Sequence, residues 1–230
     1  FAVTREPQVR EFCVQYRESD LAFIERLAAE EGLFYFHEFN NNSHRLVFAD
    51  AAHVLTSLGP RTYHSLAGGS ASERHLRQLH QLARVAPTSV TLKDYSFKQP
   101  AYAQLHEHAV PQTENAGYEH YDYPGRYKKD ASGQPFTRVR LESLRHEAVT
   151  AEAVSNLPEF APGMRFELTG HDAASLNRDW QLVSVVHHGQ QPQALEEDSS
   201  QSAGMTEYHN ELVLAPGDIT WRPQPNPKPR

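Results

Sequence analysis

The chain of 230 residues is nearly without cysteine, because Cys13 is the only one. A single thiol excludes an internal disulfide framework and any zinc site that needs several cysteines. It also fits a protein that folds in a reducing cytoplasm. Whatever stabilises this fold, it is not a cross-link between the chain's own cysteines.

Long apolar runs and dense basic runs are missing as well. The longest apolar runs, such as residues 33–36 and 212–215, are far shorter than the roughly 20 residues of a membrane-spanning helix. The net charge is -7 and no cluster of Lys or Arg stands out, so the electrostatic signature of a phosphate-backbone binder is absent. We therefore expect no nucleic-acid partner and no stable membrane insertion of this fragment.

The sequence has no initiating Met and no signal-like start, and prolines alternate with other residues through 222–230. Alternating prolines favour an extended, semi-rigid spacer. We expect a fragment of a longer protein, in which residues 222–230 lead to a following domain.

What the chain does contain predicts a folded protein. Hydrophobic residues make up 39% and charged residues 22%, with 10 Tyr and 11 Phe. Residues 11–17 alternate, with Phe12, Val14 and Tyr16 on one face, which predicts a half-buried strand.

A helix is predicted over residues 20–31. Ser19 is a suitable N-cap, and apolar residues at helical spacing predict a buried face of Leu21, Ile24 and Leu27. Gly32 ends the helix. Glu30 and Glu31 lie where the helix dipole disfavours acids, so we expect them to make contacts beyond the helix.

Most remaining segments are predicted as strands and turns. A hairpin is expected over 33–48, a second helix over 134–153, and loops over 65–73 and 189–206. The segment that follows residue 73 and runs through Gln81 and Val85 could be helix or strand, and a strand is favoured. Further strands are predicted over 88–97, 164–169, 179–187 and 208–214. The sequence therefore predicts a mainly β (α+β) fold, antiparallel or barrel-like, with two short helices.

Fourteen histidines raise the question of a metal site. His146 and Glu147 begin a zincin-like pattern, but Thr150 stands where the second ligand histidine should be. The pair His106 and His108 and the adjacent residues 187–188 are not specific motifs. We expect no bound metal and no cofactor.

Catalytic motifs are equally weak. The sequence offers no Gly-x-Ser-x-Gly elbow, and residues 68–69 lack the context of a phosphate loop. Cys13 is predicted to be structural because it lies within a predicted strand. Acidic groups at 30–31 and 196–198 are typical of solvated surfaces. We expect no catalytic residue, and hence no enzyme.

Residues 118–127 read Tyr-Glu-His-Tyr-Asp-Tyr-Pro-Gly-Arg-Tyr, the least ordinary stretch of the sequence. Its tyrosines could stack on sugar rings or bases, or they could pack a loop against a barrel. The second interpretation is favoured, because Tyr serves well as a half-buried loop anchor.

Residues 10–32, REFCVQYRESDLAFIERLAAEEG, closely resemble the segment by which VgrG spike proteins of type VI secretion are recognised. Further matching segments follow in the family's order: Asp-Tyr-Ser-Phe at 94–97 before Pro100, Tyr-Asp-Tyr-Pro-Gly-Arg-Tyr at 121–127, Pro-Gly at 162–163 leading to Leu-Thr-Gly-His at 168–171, and Trp-Arg-Pro at 221–223. The resemblance covers nearly the whole chain.

The resemblance implies a trimeric hub of β-barrel-like domains, similar to that of contractile phage tails. Residues 1–221 would be the tail-hub region without its first part, and 222–230 a linker toward an oligonucleotide/oligosaccharide-type barrel. Implied partners are two sister subunits, an Hcp-type hexameric tube ring, baseplate components, a spike-tip protein and effectors. The protein would be assembled in the bacterial cytoplasm and then secreted or injected into target cells.

Two other functions stay open on the residues alone. One is a carbohydrate- or peptidoglycan-binding module that uses the tyrosine-rich stretch. The other is a lysozyme-like or metal-dependent hydrolase. On the hub interpretation no residue is catalytic, metal-binding or cofactor-binding.

Overall fold

The computed structural model describes residues 1–65, 73–111, 117–191 and 206–227. The chain folds as two compact units, each assembled from separated segments. Unit 1 comprises Phe1–Val54, Ala83–Ala148 and Thr220–Arg230, and unit 2 comprises Leu55–Leu82 and Val149–Ile219. Most of the two predicted loops, and the last three residues of the predicted spacer, lie outside the described residues.

The described residues form two α-helices and eleven strands. In chain order they are α1 Asp20–Glu30, β1 Phe34–Asn40, β2 Ser43–Ala49, β3 Thr56–Thr62, β4 Leu76–Ala83, β5 Ser89–Asp94, β6 Gln104–Ala109, β7 Glu119–Asp122, α2 Asp130–Leu144, β8 Val149–Ser155, β9 Met164–Thr169, β10 Asp179–Gln190 and β11 Glu207–Pro216. Within the described ranges, neither helix is long and apolar enough to cross a membrane.

Unit 1 combines both helices with two small sheets. Strands β1 and β2 form an antiparallel hairpin. Strand β5 lies at the centre of a second sheet, antiparallel to β6 and parallel to β7. Helix α2 packs against β5 and β6, and its Leu141 joins Val90, Leu92 and Tyr127 in a small buried core.

Unit 2 is built on one six-stranded sheet in the order β3-β9-β10-β11-β8-β4. Strands β9, β10, β11 and β8 run antiparallel to their neighbours, whereas β3 joins β9 in parallel. Tyr63, directly after β3, forms a parallel bridge with Leu76 at the start of β4. The N–H of His64 donates to the Leu76 carbonyl at 2.8 Å. The two outer strands therefore meet, and the sheet curls into a barrel-like form.

The curled sheet of unit 2 encloses a continuous apolar core. Its largest members are Trp180, Phe160 and Phe166, each at most 1% exposed. The rings of Phe160 and Phe166 stack with centroids 4.9 Å apart. Strand β11 contributes Leu212 and Leu214, because alternate residues of a strand face the same side. Burial of this set is the main stabilising term of unit 2.

The predicted mainly β fold with two helices is confirmed. The first helix, the hairpin, the strand at Leu76–Ala83 and strand β9 lie where the sequence predicts them. The two parallel pairings, β3 with β9 and β5 with β7, bring together segments that are far apart in the sequence. Nothing in the local pattern of either strand signals this direction.

The predicted strand at residues 11–17 is wrong. These residues belong to no strand, and Phe12, Val14 and Tyr16 are 77%, 51% and 47% exposed. A segment of alternating apolar and polar residues forms a strand only when a neighbouring strand hydrogen-bonds to it. No described residue pairs with residues 11–17.

The predicted buried face of α1 is also wrong. Leu21 and Ile24 are 60% and 48% exposed, and the helix instead buries Arg26, Ala28 and Ala29. The apolar stripe points outward because the buried side of the helix is occupied by a charged contact of Arg26, described below.

The second helix is displaced from its predicted bounds of 134–153. It begins four residues earlier, at Asp130, and ends at Leu144. The residues from Val149 onward form β8, where β-branched Val149 and Thr150 fit a strand and pairing with β11 decides the outcome.

Candidate functional site

Several distant segments of unit 1 meet around one carboxylate and one guanidinium. We call the cluster formed by Thr4, Gly32, Asp50, Glu142 and Arg222 the Asp50–Arg222 junction. It joins residues 1–5, the end of α1, the end of β2, helix α2 and residues 220–222.

Asp50 follows β2 and captures the start of the described chain. The N–H of Thr4 donates to Oδ1 at 2.9 Å and to Oδ2 at 2.8 Å, and the Thr4 hydroxyl donates to Oδ2 at 2.8 Å. The N–H of Arg5 adds a fourth hydrogen bond at 3.1 Å. Although burial opposes the charged form, these donors and the nearby Arg222 lower the pKa of Asp50.

Arg222 lies on the other side of the same residue and is 3% exposed. Its Nη1 donates to the backbone carbonyls of Gly32 and of Asp50, the latter at 2.8 Å. Its Nε donates to Glu142 Oε2 on α2 at 2.6 Å. A buried guanidinium needs such partners, because an unpaired buried charge is very costly.

Gly32 fits this junction for two reasons. Its φ of +77° lies in the left-handed region that ends helices. In addition, a Cβ atom at this position would lie 2.6 Å from Val139 Cγ2 and 3.2 Å from Arg222 Nη1. The helix stop predicted from the sequence is therefore confirmed, and the junction adds a packing reason for it.

A second set of charges surrounds the end of α1. Arg26 is buried and donates to Glu18 through Nη2 at 2.6 Å and Nε at 3.0 Å, and hydrogen bonding to the Glu18 carboxylate raises the pKa of Arg26. Arg10 donates to Glu30 and to Glu31, each at 2.7 Å, and Arg5 donates to Glu31 at 2.8 Å. The expectation that Glu30 and Glu31 make contacts beyond the helix is confirmed.

These contacts fix residues 4–18 against α1 and β2 without a strand pairing over 11–17. The oxygens of Asp50 accept four hydrogen bonds from three donor groups, and Arg222 donates to three acceptors. Chemically the junction can hold segments together, and its carboxylate is not placed to take a proton from a substrate. We therefore regard the Asp50–Arg222 junction as a structural site that holds these segments together.

The proline-rich segment after Arg222 continues along unit 1. Pro225 and Pro227 line a cavity of about 260 Å³, together with Phe136 and Val139 of α2. The predicted boundary between residues 221 and 222 stays a prediction, but Arg222 itself is buried in unit 1.

The tyrosine-rich stretch divides into an exposed and a buried part. Tyr118, Tyr121 and Tyr123 are 54%, 55% and 56% exposed. Tyr127 is buried, and its hydroxyl lies 3.0 Å from the Leu92 carbonyl and 2.8 Å from that of Gln104. Burial and the nearby Asp94 raise the pKa of Tyr127 to about 12. Only Tyr127 behaves as the packing anchor that the sequence favours.

The histidines named in the sequence analysis are scattered. His146 contacts the Ser143 carbonyl through Nδ1, and His106 contacts Asp130 at 2.9 Å. His188 differs, because it lies close to His209 and Glu211, which are distant in sequence. This group depends on the pairing of two strands. The spacing of residues along the sequence does not show which strands pair.

The remaining candidates do not converge either. Cys13 is exposed and lies outside any strand, so the predicted strand on which its structural role was based is wrong, and the role itself stays a prediction. Glu30 and Glu31 are engaged in ion pairs, and the acids at 196–198 lie outside the described residues.

Comparison with known proteins identifies relatives along the whole chain. A family model described as the phage tail baseplate hub (GPD) matches residues 1–193. The actin cross-linking toxin VgrG1 of Vibrio cholerae is 45% identical over 235 residues, covering 100% of this chain and 21% of the relative. The type VI secretion system spike protein VgrG2a of Pseudomonas aeruginosa is 39% identical, covering 96% of this chain and 27% of the relative. The chain thus spans between a fifth and a third of these relatives' length.

Solved structures show the same fold. A type VI secretion component of Escherichia coli, described as similar to the T4 tail proteins gp27 and gp5, superposes with a TM-score of 0.62 at 16% identity, covering 99% of this chain and 45% of that one. A tail protein of Neisseria meningitidis gives 0.65 at 14% identity, covering 98% and 64%.

Proposed function

Because the chain belongs to the phage tail baseplate hub (GPD) family, we propose that it is the hub region of a type VI secretion spike protein. The observation that carries the proposal is its 45% identity, over its whole length, to a VgrG protein. In this role the chain joins a tube to a puncturing needle and helps to deliver effectors into target cells. It acts as a structural component and not as an enzyme.

The proposed partners follow from this position in the machine. They are two sister subunits in the full-length protein, an Hcp-type hexameric tube ring, baseplate components, a spike-tip protein and effectors. We propose assembly in the bacterial cytoplasm, followed by secretion or injection. Residues 1–221 form the hub region in this scheme, and 222–230 lead to an oligonucleotide/oligosaccharide-type barrel.

The exposed apolar residues support an interface. Phe12, Val14 and Tyr16 present apolar surface next to backbone groups that no described strand pairs. Leu21 and Ile24 of α1 are exposed as well. Such surface is costly for a monomer and is typical of a contact with another chain. Because a spike is threefold, the contact must be head-to-tail, with two different patches meeting around the ring.

Analytical ultracentrifugation tests the proposal. The full-length protein should sediment as a trimer, whereas residues 1–230 alone should be a monomer or a weak, concentration-dependent oligomer. A stable full-length monomer at micromolar concentration would overturn the hub function.

A second candidate function rests on the exposed tyrosines. Tyr118, Tyr121 and Tyr123 could stack on sugar rings, which favours a carbohydrate-binding module. Titration with peptidoglycan fragments separates the two functions, because saturable binding that is lost in Tyr121→Ala supports the module. If the chain is a hub without affinity for sugars, neither the parent nor Tyr121→Ala binds the peptidoglycan fragments.

A further inference from the structure

Strands β10 and β11 bring three metal-ligating side chains to one face of unit 2. In their antiparallel register His188 lies directly opposite His209, and Val186 lies opposite Glu211. Side chains of directly opposite residues share a face, as do residues two apart on one strand. His188, His209 and Glu211 therefore lie on the same side of the sheet. His187, adjacent in sequence, points to the other side.

The distances among the three are close to those around a metal ion. The imidazole rings of His188 and His209 stack with centroids 4.8 Å apart and planes 16° from parallel. His188 Nε2 lies 3.8 Å from Glu211 Oε1. One ligand atom from each residue lies within 4.8 Å of the others. Bonds of about 2.0–2.2 Å in a tetrahedral zinc site place ligand atoms roughly 3.3–3.6 Å apart.

Small side-chain rotations close the remaining gap. The side chains of His188 and Glu211 are 45% and 62% exposed, so they can turn without disturbing the packing of the sheet. The core is formed by Leu212 and Leu214 on the opposite face of β11. His188 and His209 also line a cavity of about 370 Å³, which leaves room for water at an open coordination position.

We propose that His188, His209 and Glu211 bind one divalent cation of the zinc type and thereby cross-link β10 to β11. Two imidazoles and one carboxylate suit borderline cations such as Zn²⁺, Co²⁺ and Ni²⁺, whereas Mg²⁺ and Ca²⁺ prefer all-oxygen sites. The sequence-based expectation of no metal considered spacing along the chain only. The pairing of β10 with β11 brings together ligands that are distant in sequence. The spacing of residues along the chain cannot show this.

The site is expected to be of moderate affinity. A ligating histidine normally donates its second ring N–H to a carboxylate or carbonyl, and loss of that partner typically weakens binding by about 10–100-fold. His209 Nδ1 is buried and has no hydrogen-bond partner among the described residues. With three protein ligands and this incomplete outer shell, we expect a dissociation constant on the order of micromolar.

Titration of the 230-residue chain with Co²⁺ and with Zn²⁺ tests the proposal. Visible absorption of Co²⁺ reports the coordination geometry, and displacement by Zn²⁺ gives the zinc affinity. We expect one site tighter than any other, with the absorption of a four- or five-coordinate ion. His209→Ala and Glu211→Gln should each weaken this site by tenfold or more. His187→Ala is the matched control and should change the affinity less than twofold.

A second readout follows the cross-link itself. Saturating Zn²⁺ should raise the urea midpoint for unfolding of unit 2, read from Trp180 fluorescence in a Trp221→Phe background. His209→Ala should lose this rise while retaining the circular dichroism of the parent. Equal affinity in parent, His209→Ala and Glu211→Gln, or equal binding of Mg²⁺ and Zn²⁺, would overturn the proposal. Loss of the site in His187→Ala alone would overturn it as well.

Discussion

Unit 1 and unit 2 bury different kinds of side chains. Unit 2 encloses a continuous core of twelve buried apolar residues that includes Trp180 and Phe166. In unit 1 one core cluster holds four, other buried apolar residues such as Phe36, Val47 and Val139 lie outside that cluster, and the three charged residues buried in the described chain, Arg26, Asp50 and Arg222, all belong to this unit. Apolar burial is non-directional, whereas buried charges require specific partners. Unit 2 is therefore a scaffold packed around one core, whereas unit 1 combines smaller apolar contacts with buried charges that join its segments.

The largest effect should come from the core of unit 2. Phe166→Ala removes a ring that is 0% exposed and stacked on Phe160, so the free energy of unfolding of unit 2 should fall by about 3–5 kcal/mol. Urea unfolding in a Trp221→Phe background, followed by Trp180 fluorescence, measures it. Phe39→Ala, at a 72% exposed position, should cost less than about 1 kcal/mol. Equal losses in both variants would contradict the comparison.

The next effect should come from the guanidinium in unit 1. Arg222→Ala leaves two backbone carbonyls and Glu142 without their donor, and we expect a loss of about 3 kcal/mol. Hydrogen exchange resolved by segment should show faster exchange at residues 1–5 and in α1. Arg222→Lys keeps the charge but not the planar fork, and should recover only part of the loss. Full recovery of the stability in Arg222→Lys would show that the positive charge alone, without the guanidinium geometry, stabilises unit 1.

Asp50→Asn should cost about 1–3 kcal/mol, because three donor groups, which make four hydrogen bonds, lose a charged acceptor. The pKa of Asp50 is lowered in the folded protein, so its contribution is present above the unfolded value near 4 and is lost as pH falls through the folded value. Acid unfolding followed by Trp221 fluorescence should lose part of its pH dependence in the variant. Asp172→Asn, at an exposed position in unit 2, serves as control. An unchanged acid transition in Asp50→Asn would contradict the prediction.

The smallest effect should come from the start of α1. Ser19 accepts a hydrogen bond from the Ala22 N–H at 3.2 Å, and Ser19→Ala should cost about 1 kcal/mol of unit 1 stability. Ser19→Asp retains a capping acceptor and should be close to neutral. Chemical denaturation read by helical circular dichroism distinguishes the three proteins. A loss in Ser19→Asp equal to that in Ser19→Ala would rule out a capping role.

Local signals predicted much of this fold, but long-range pairing decided the rest. The Ser19 cap, the Gly32 stop and the strand Met164–Thr169 depend on neighbouring residues, and the sequence located all three. The failures at residues 11–17 and 149–153 have one cause: whether an apolar segment becomes a strand depends on a partner elsewhere in the chain. For 149–153 that partner is β11, and for 11–17 the described chain holds none.

The junction was beyond sequence reasoning for the same reason. Asp50 and Arg222 are separated by 172 positions, and although Arg222 stands in the Trp-Arg-Pro segment at 221–223, nothing in that segment indicates Asp50 as its partner. The unexplained acids Glu30 and Glu31 were the available signal, because charges placed against a helix dipole require compensation. Their partners Arg5 and Arg10 could not be identified from spacing.

The Asp50–Arg222 junction also determines how the chain would carry a pulling force. Thr4 and Arg222 are fastened to the same residue, one to its carboxylate and one to its carbonyl. Tension applied between residue 1 and residue 227 would therefore pass through Asp50, within unit 1. Residues 55–82 and 149–219, which form unit 2, would not lie on the path of this force. A load applied at these two ends would therefore be carried by the hydrogen bonds of the Asp50–Arg222 junction in unit 1.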